Sequence, residues 1–157
     1  MDRLTKAERS AVMSRIRARG NERTELTLAR LFRAAGLKGW RRHLTLRLKG
    51  LRRETTTASD GTRFLPQVRP DFTFPAAKLA LFVDGYFWHG CPRCYRSPKT
   101  RSRFWRAKVE RNQERDHFQT RALRHRGWHV LRVRECALSA RRAEATMRRI
   151  ARALGRA

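Results

Sequence analysis

The segment Lys78-Leu-Ala-Leu-Phe-Val-Asp84 constrains this chain more than any other stretch. Five consecutive apolar residues bounded by charge are too short for a stable helix and long enough for a buried strand. Trp128 to Val133 reads as another strand, apolar enough to lie inside a sheet. Val68 to Phe74 gives a short strand before the buried one. His43 to Leu48 alternates polar and apolar residues, as a half-buried strand does. Helical signals surround these strands. Leu4 to Arg19 reads as a basic helix, Thr24 to Ala35 as a second helix stopped at Gly36, and Ser102 to Arg126 as a long charged helix closed by Gly127. Arg141 to Leu154 reads as a terminal basic helix. Lys49 to Gln67, with Gly50, the threonine run Thr55 to Thr57 and Ser-Asp-Gly, lacks an apolar pattern and is expected to be an exposed loop or hairpin. The expected fold class is α/β, a mixed sheet flanked by helices in one domain spanning residues 1–157.

Charge then narrows the partner. Thirty-nine Lys and Arg against thirteen Asp and Glu give a formal +26, most of it arginine. Such a field selects a polyanion, because neutralising phosphates releases their condensed counterions. A ribosomal protein, a nucleoid protein and a nuclease satisfy it equally. No apolar run is long enough to span a bilayer, and Met1 to Arg19 lacks the apolar core of a signal peptide. Three cysteines, an odd number, point to metal binding or free thiols in a reducing compartment, so a cytoplasmic, chromosome-associated location is expected.

Four groups of residues carry chemistry. Asp71, after Pro70, falls early on a strand, and Asp84 ends the next strand; two carboxylates on neighbouring strands can hold a hard divalent cation. Alone, each reads first as an ordinary turn-capping or strand-end Asp; the pair, in so basic a chain, makes metal chemistry competitive. Phe87 and Trp88 follow the buried strand, where they can fill the core at the sheet edge or wedge between base steps. His89 is a satisfied polar residue or a general acid–base with a suitable pKa. Cys91-Pro-Arg-Cys94 with Cys136 offers three thiolates of a structural zinc site. His89, His117 and His125 are open as the fourth ligand, and a redox role for the C-x-x-C is the weaker reading. Trp105 is a core anchor or a stacking residue; Asp116 orients a histidine or stays solvated.

Together these residues resemble a known family. R-S-x-x-M-S-x-I-R (Arg9 to Arg17), T-E-L-x-L-A-R-L-F (Thr24 to Phe32), R-P-D-F (Arg69 to Phe72) and L-F-V-D-G-Y-F-W-H-G-C (Leu81 to Cys91) are its first four segments. F-W-x-x-K-x-x-x-N-x-x-R-D (Phe104 to Asp116) and G-W-x-V-L-R-V-R-E-C-A-L (Gly127 to Leu138) complete it. In order and spacing the chain resembles the very short patch repair (Vsr) DNA mismatch endonucleases from about Arg9 to Leu138. The resemblance implies a restriction-endonuclease-like fold with a structural zinc, and magnesium-dependent nicking of one strand 5′ to the thymine of a T·G mismatch. It implies Asp71 as the central metal carboxylate, His89 as the catalytic histidine, Asp116 as its acidic partner and Glu25 as a carboxylate near the site. It moves the second magnesium contact from the Asp84 side chain to the main-chain carbonyl of Val83, with Asp84 kept as a secondary candidate. Phe87, Trp88 and Trp105 would wedge beside the mismatch, and Met13, on an N-terminal helix within residues 1–20, would reach the duplex from the other side.

The chain departs from the family at two places. Tyr86 stands where a zinc ligand is often Cys, leaving Cys91, Cys94, Cys136 and an unidentified fourth group. The insertion at 49–67 is longer than the usual turn and bears on sequence context. The resemblance further implies a monomer, a repair polymerase and ligase downstream, and a cytosine methyltransferase as functional companion. A related nuclease with another lesion or sequence target remains open, as does an inactive zinc-stabilised DNA-binding module.

Overall fold

The computed structural model describes residues 21–48, 61 and 67–155. The basic helix at Leu4 to Arg19, Met13 with it, and the insertion apart from Gly61 and Gln67 lie outside the described residues. The described elements are α1 (Thr27–Ala34, preceded by a π-turn at Glu22–Leu26), β1 (Arg41–Arg42), β2 (Leu46–Arg47), β3 (Gln67–Val68), β4 (Phe72–Phe74) and β5 (Leu79–Asp84). They continue with α2 (Ser102–Arg124), β6 (His129–Arg134), a 3₁₀ turn at Glu135–Leu138, and α3 (Ala140–Ala153).

The main sheet runs β1-β4-β5-β6, antiparallel except for the β5–β6 pair, which is parallel. This is the mixed sheet flanked by helices that the sequence led us to expect. All six residues of β5 are buried, because it is an inner strand covered on both faces. Leu79, Leu81 and Val83 pack with Leu28, Ala29 and Phe32 of α1, with Phe72 and Phe74, and with Ile150 of α3. Ala80 and Phe82 turn to the other face, against Phe118, Ala122 and Leu123 of α2 and the small β2–β3 sheet around Leu48 and Val68. Alternate side chains on one strand thus feed two separate cores. A parallel β5–β6 pair requires a long crossover, which α2 supplies.

Two expected strands come out shorter. Of His43 to Leu48 only Leu46–Arg47 is a strand, β2, while β1 lies just before it in the other sheet; Val68 to Phe74 is broken into β3, which begins at Gln67, and β4. The pairing is nonetheless continuous in register: Arg42 opposes Phe72, Leu46 opposes Val68, and between them the His43 N–H donates to the Asp71 carbonyl at 3.2 Å. The result is one bent antiparallel ribbon that leaves the main sheet for the small one. Its bend has two causes. His43 sits in the left-handed region at φ +53°, and Pro70 has no N–H to give the ladder. The bend sets His43 and Asp71 opposite one another at the end of the main sheet.

Candidate active site and metal centres

Asp71 precedes β4, and its side chain turns toward the neighbouring strand, where Oδ2 accepts the Val83 N–H at 2.6 Å. Glu25 comes from the π-turn before α1 and is buried. It accepts from Arg42 Nη2 at 2.7 Å and lies 3.0 Å from His43 Nε2. Ligand atoms of Glu25, His43 and Asp71 all fall within 4.8 Å of one another. Burial, with the carboxylates of Glu25 and Asp84, pushes the Asp71 carboxyl up to about 7 from 3.8; the Val83 N–H and Arg132 pull it down less. A carboxylate so under-compensated fits a place for a cation.

The second cluster comprises Asp84, His89 and Asp116. His89 Nδ1 lies 2.5 Å from Asp116 Oδ2 and 3.7 Å from Asp84 Oδ1. Arg132, reaching across from β6, donates to both oxygens of Asp84 at 2.8 and 2.6 Å and approaches Asp116 at 2.9 Å. Burial opposes the guanidinium charge, and the two carboxylates more than offset it, so Arg132 is held more firmly protonated than usual. Asp84 therefore groups with His89, whereas Asp71 groups with Glu25 and His43.

Phe87 and Trp88 meet at ring centroids 5.2 Å apart, and Trp105 of α2 lies 5.1 Å from Phe87 and 5.9 Å from Trp88. The three rings form one cluster, with Phe104 exposed beside it. Helix α2 grips the loop beneath: Asn112 donates to the Trp88 carbonyl at 2.8 Å and Gln113 to the His89 carbonyl at 3.3 Å. Gly90 lets the helix come this close. A Cβ there would lie 2.6 Å from Val109 Cγ1 and 2.8 Å from Gln113 Nε2, and its φ is +58°.

The thiols of Cys91, Cys94 and Cys136 lie within 4.8 Å of one another, with 3.8 Å between Cys91 and Cys136. Burial raises the Cys94 thiol to about 11, helped by hydrogen bonds with Cys136 and Cys91. Burial would raise Cys91 too, but the N–H groups of Arg93 and Cys94 outweigh it and lower it. Among the described residues no histidine joins this group: His89 is with Asp84 and Asp116, and His117 and His125 are exposed. Tyr86 is exposed, its N–H donating to Glu135.

Two participants escaped the sequence reading. His43 joins the Asp71 cluster only through the ribbon bend, which no local pattern announces. Arg132 looks like any polar residue on a strand; an arginine between the apolar Leu131 and Val133 of β6 was the available signal.

No protein-family model matches the chain. Among curated proteins it is similar to the type II nicking enzyme V.NmeDIP of Neisseria meningitidis serogroup C, 37% identical over 134 residues, covering 84% of this chain and 76% of the relative. The type II nicking enzyme V.NaeI of Lentzea aerocolonigenes is 48% identical over 69 residues, 44% of this chain and 42% of the relative. The DNA mismatch endonuclease Vsr of Escherichia coli (strain K12) is 43% identical over 75 residues, 46% of this chain and 47% of the relative. The alignments with V.NaeI and Vsr thus span about half the length of those relatives. With most of its length aligned to V.NmeDIP at that identity, the chain belongs to the Vsr family of nicking endonucleases.

Proposed function

We propose that this chain is a metal-dependent DNA endonuclease that nicks one strand 5′ to the thymine of a T·G mismatch, by magnesium-dependent hydrolysis. The observation that carries the reading is the pairing of two adjacent clusters. One is an under-compensated carboxylate, Asp71, beside Glu25; the other is a histidine, His89, oriented by Asp116 at 2.5 Å. The names of the relatives, nicking enzymes and a mismatch endonuclease, support the same class of reaction.

The donor chemistry fits magnesium. His43 Nε2 lies 3.0 Å from Glu25, and the Asp71 carboxylate, with the Val83 carbonyl that the resemblance assigns, would supply oxygen ligands of the kind a hard cation takes. Magnesium held there would offset charge on the attacked phosphate and acidify water. The chain's own residues do the rest. His89 gives its Nδ1 proton to the hydrogen bond with Asp116, which leaves Nε2 to accept a proton from the attacking water. Asp116 then stabilises the imidazolium so formed. Phe87, Trp88 and Trp105, held with α2, are the wedge that unstacks the duplex, and Met13, outside the described residues, takes by resemblance the role of contacting the duplex from the other side. Glu25, anchored by Arg42 and His43, completes the negative field around Asp71.

The three converging thiols fit a soft metal, and we read zinc there as a structural ion holding the loop after His89 to the turn after β6. A restriction-endonuclease-like arrangement within a single domain, acting as a monomer on DNA in the chromosome's compartment, completes the reading. A cytosine methyltransferase would generate the substrate's precursor, and a polymerase and ligase would finish the repair. No described helix is long and apolar enough to cross a membrane. A nicking assay on T·G and T·A duplexes, with and without magnesium, tests the proposal. Selective, magnesium-dependent cleavage of the T·G strand is expected; equal cleavage of both duplexes sinks the mismatch specificity, and none with magnesium sinks the enzyme.

A further inference from the structure

Beside the catalytic cluster lies a cleft of about 990 Å³ between α2, β6, α3 and the cysteine loop. Its inner end is His89, Asp84 and Asp116, whose carboxylates are both engaged by Arg132. Away from that end the charge changes character. Arg93, Arg121, Arg124, Arg134, Arg142 and Arg149 line it, drawn from four different elements. Arg149 donates to the Arg132 carbonyl, and the other five have no carboxylate partner among the described residues. Two further donors in the lining, Thr120 Oγ1 and Arg132 Nη1, are buried and without a partner.

We infer that this cleft is a phosphate track, seating the sugar–phosphate backbone of the DNA strand on one side of the bond to be cut. Three observations fix the occupant. The unpaired guanidiniums demand a repeated anion, and a run of phosphates provides one. The track opens at His89, past which the strand being hydrolysed must run if His89 accepts the water's proton. No Phe, Tyr or Trp lines the cleft among the described residues, so it offers no platform on which bases stack. The rings that could read or unstack bases, Phe87, Trp88 and Trp105, form their cluster outside it. The track therefore positions the strand without reading it. From Gln113 to Arg124 the helix advances about 17 Å at 1.5 Å per residue. Along the duplex axis, where phosphates of one strand rise about 3.4 Å each, that length sets an upper bound of about five base pairs. The inference rests on the endonuclease reading above, since an acidic protein segment is the other polyanion that five arginines would hold.

The test uses Arg121→Glu/Arg124→Glu, both exposed on α2, against Arg148→Glu/Arg152→Glu, an equal charge change on α3 outside the cleft. Binding to T·G duplexes is measured across a salt series, with each arm shortened in turn. The α2 pair should weaken binding at least about tenfold and reduce the salt slope by about 2, whereas the α3 pair should move the slope less. Arg121→Lys/Arg124→Lys should restore the slope. Wild type and the α2 pair should converge when one particular arm is cut below about five base pairs. Equal effects of the two pairs, or convergence on neither arm, would overturn the track. So would competition by polyglutamate at the cleft with DNA binding indifferent to the α2 pair. Nicking is read separately with magnesium: a wild type that binds but never cuts removes the enzyme and leaves the binding outcome to decide the track.

Discussion

Asp71, just before β4, and Asp84, the last residue of the neighbouring β5, lie close together, yet they live in different electrostatic conditions. Asp84 is clasped by Arg132 through both oxygens, and the same guanidinium reaches Asp116, so that cluster carries its own counter-charge. Asp71 has Glu25 and Asp84 as neighbours, with one backbone N–H and a more distant Arg132 to offset them. The difference comes from register. β6 runs parallel to β5 with Arg132 opposite Phe82, which brings the guanidinium up beside the strand's C-terminal carboxylate. β4, on the other side of β5, brings no cation to Asp71. One centre shares a guanidinium between its two carboxylates, the better compensated of the two, and is suited to holding a histidine in place. The other is left in deficit and suited to recruiting a cation.

Breaking the deficient centre should have the largest effect. Asp71→Ala is expected to abolish magnesium-dependent nicking, by about 10³-fold or more, equivalent to about 4 kcal/mol of barrier. DNA binding measured at the same salt should survive. His89→Ala should cost on the order of 10²–10⁴-fold in single-turnover rate, and Asp116→Asn less. If removing Asp116 costs more than removing His89, the orienting role assigned to it is wrong.

Breaking the balanced centre should show in folding rather than chemistry alone. Arg132→Met leaves Asp84 and Asp116 without their shared counter-charge. Fully buried pairs lose about 3–5 kcal/mol on such a change, and the 21% exposure of Arg132 should reduce that to roughly 2 kcal/mol by denaturant unfolding. Adding Asp84→Asn to Arg132→Met should recover part of the loss. Gly90→Ala should destabilise by about 1–3 kcal/mol through overpacking against Val109 and the left-handed backbone it would force.

The subtlest comparison uses pH. Asp71 titrates at about 7 in the folded chain against 3.8 for an ordinary Asp, so the folded state binds this proton more tightly than the unfolded chain does. Its contribution is complete below about pH 3.8 and is lost as pH rises through 7. Between pH 5 and 8, metal-free wild type should lose roughly 2 kcal/mol relative to Asp71→Asn. Magnesium should close that gap; a gap unchanged by magnesium would place the cation elsewhere.

The strands β5 and β6 were legible in the sequence because they are dense in apolar side chains, and burial follows from composition over so short a run; that β5 divides its side chains between two cores was not. The helices α2 and α3 were legible through their length and through Gly127. The strands at 43–48 and 68–74 were legible as strands and illegible as a bent ribbon, because the bend rests on His43's left-handed backbone and its pairing with Asp71, far along the chain. Within the candidate site, Asp71, His89 and the cysteines were visible as residue types in suggestive places. Which carboxylate stands with which was not. Asp84's partner is fixed by an arginine 48 residues away, on a strand whose neighbour and direction depend on the crossover through α2. Periodicity within one segment carries no information about such pairings.

The grip of α2 on residues 87–90 has a mechanical consequence. Asn112 holds the carbonyl of Trp88, Gln113 that of His89, and Asp116 the imidazole itself, all within two turns of one helix. Aromatic ring and imidazole are therefore mounted on a common chassis, with Gly90 as the point where no slack exists. Under the proposed function, a duplex that refused the ring would push on the same frame that aims the imidazole, and misfit would be felt at the reacting bond. Substrate proofreading would then need no separate sensor, since the lever that tests the stack also carries the base that cuts.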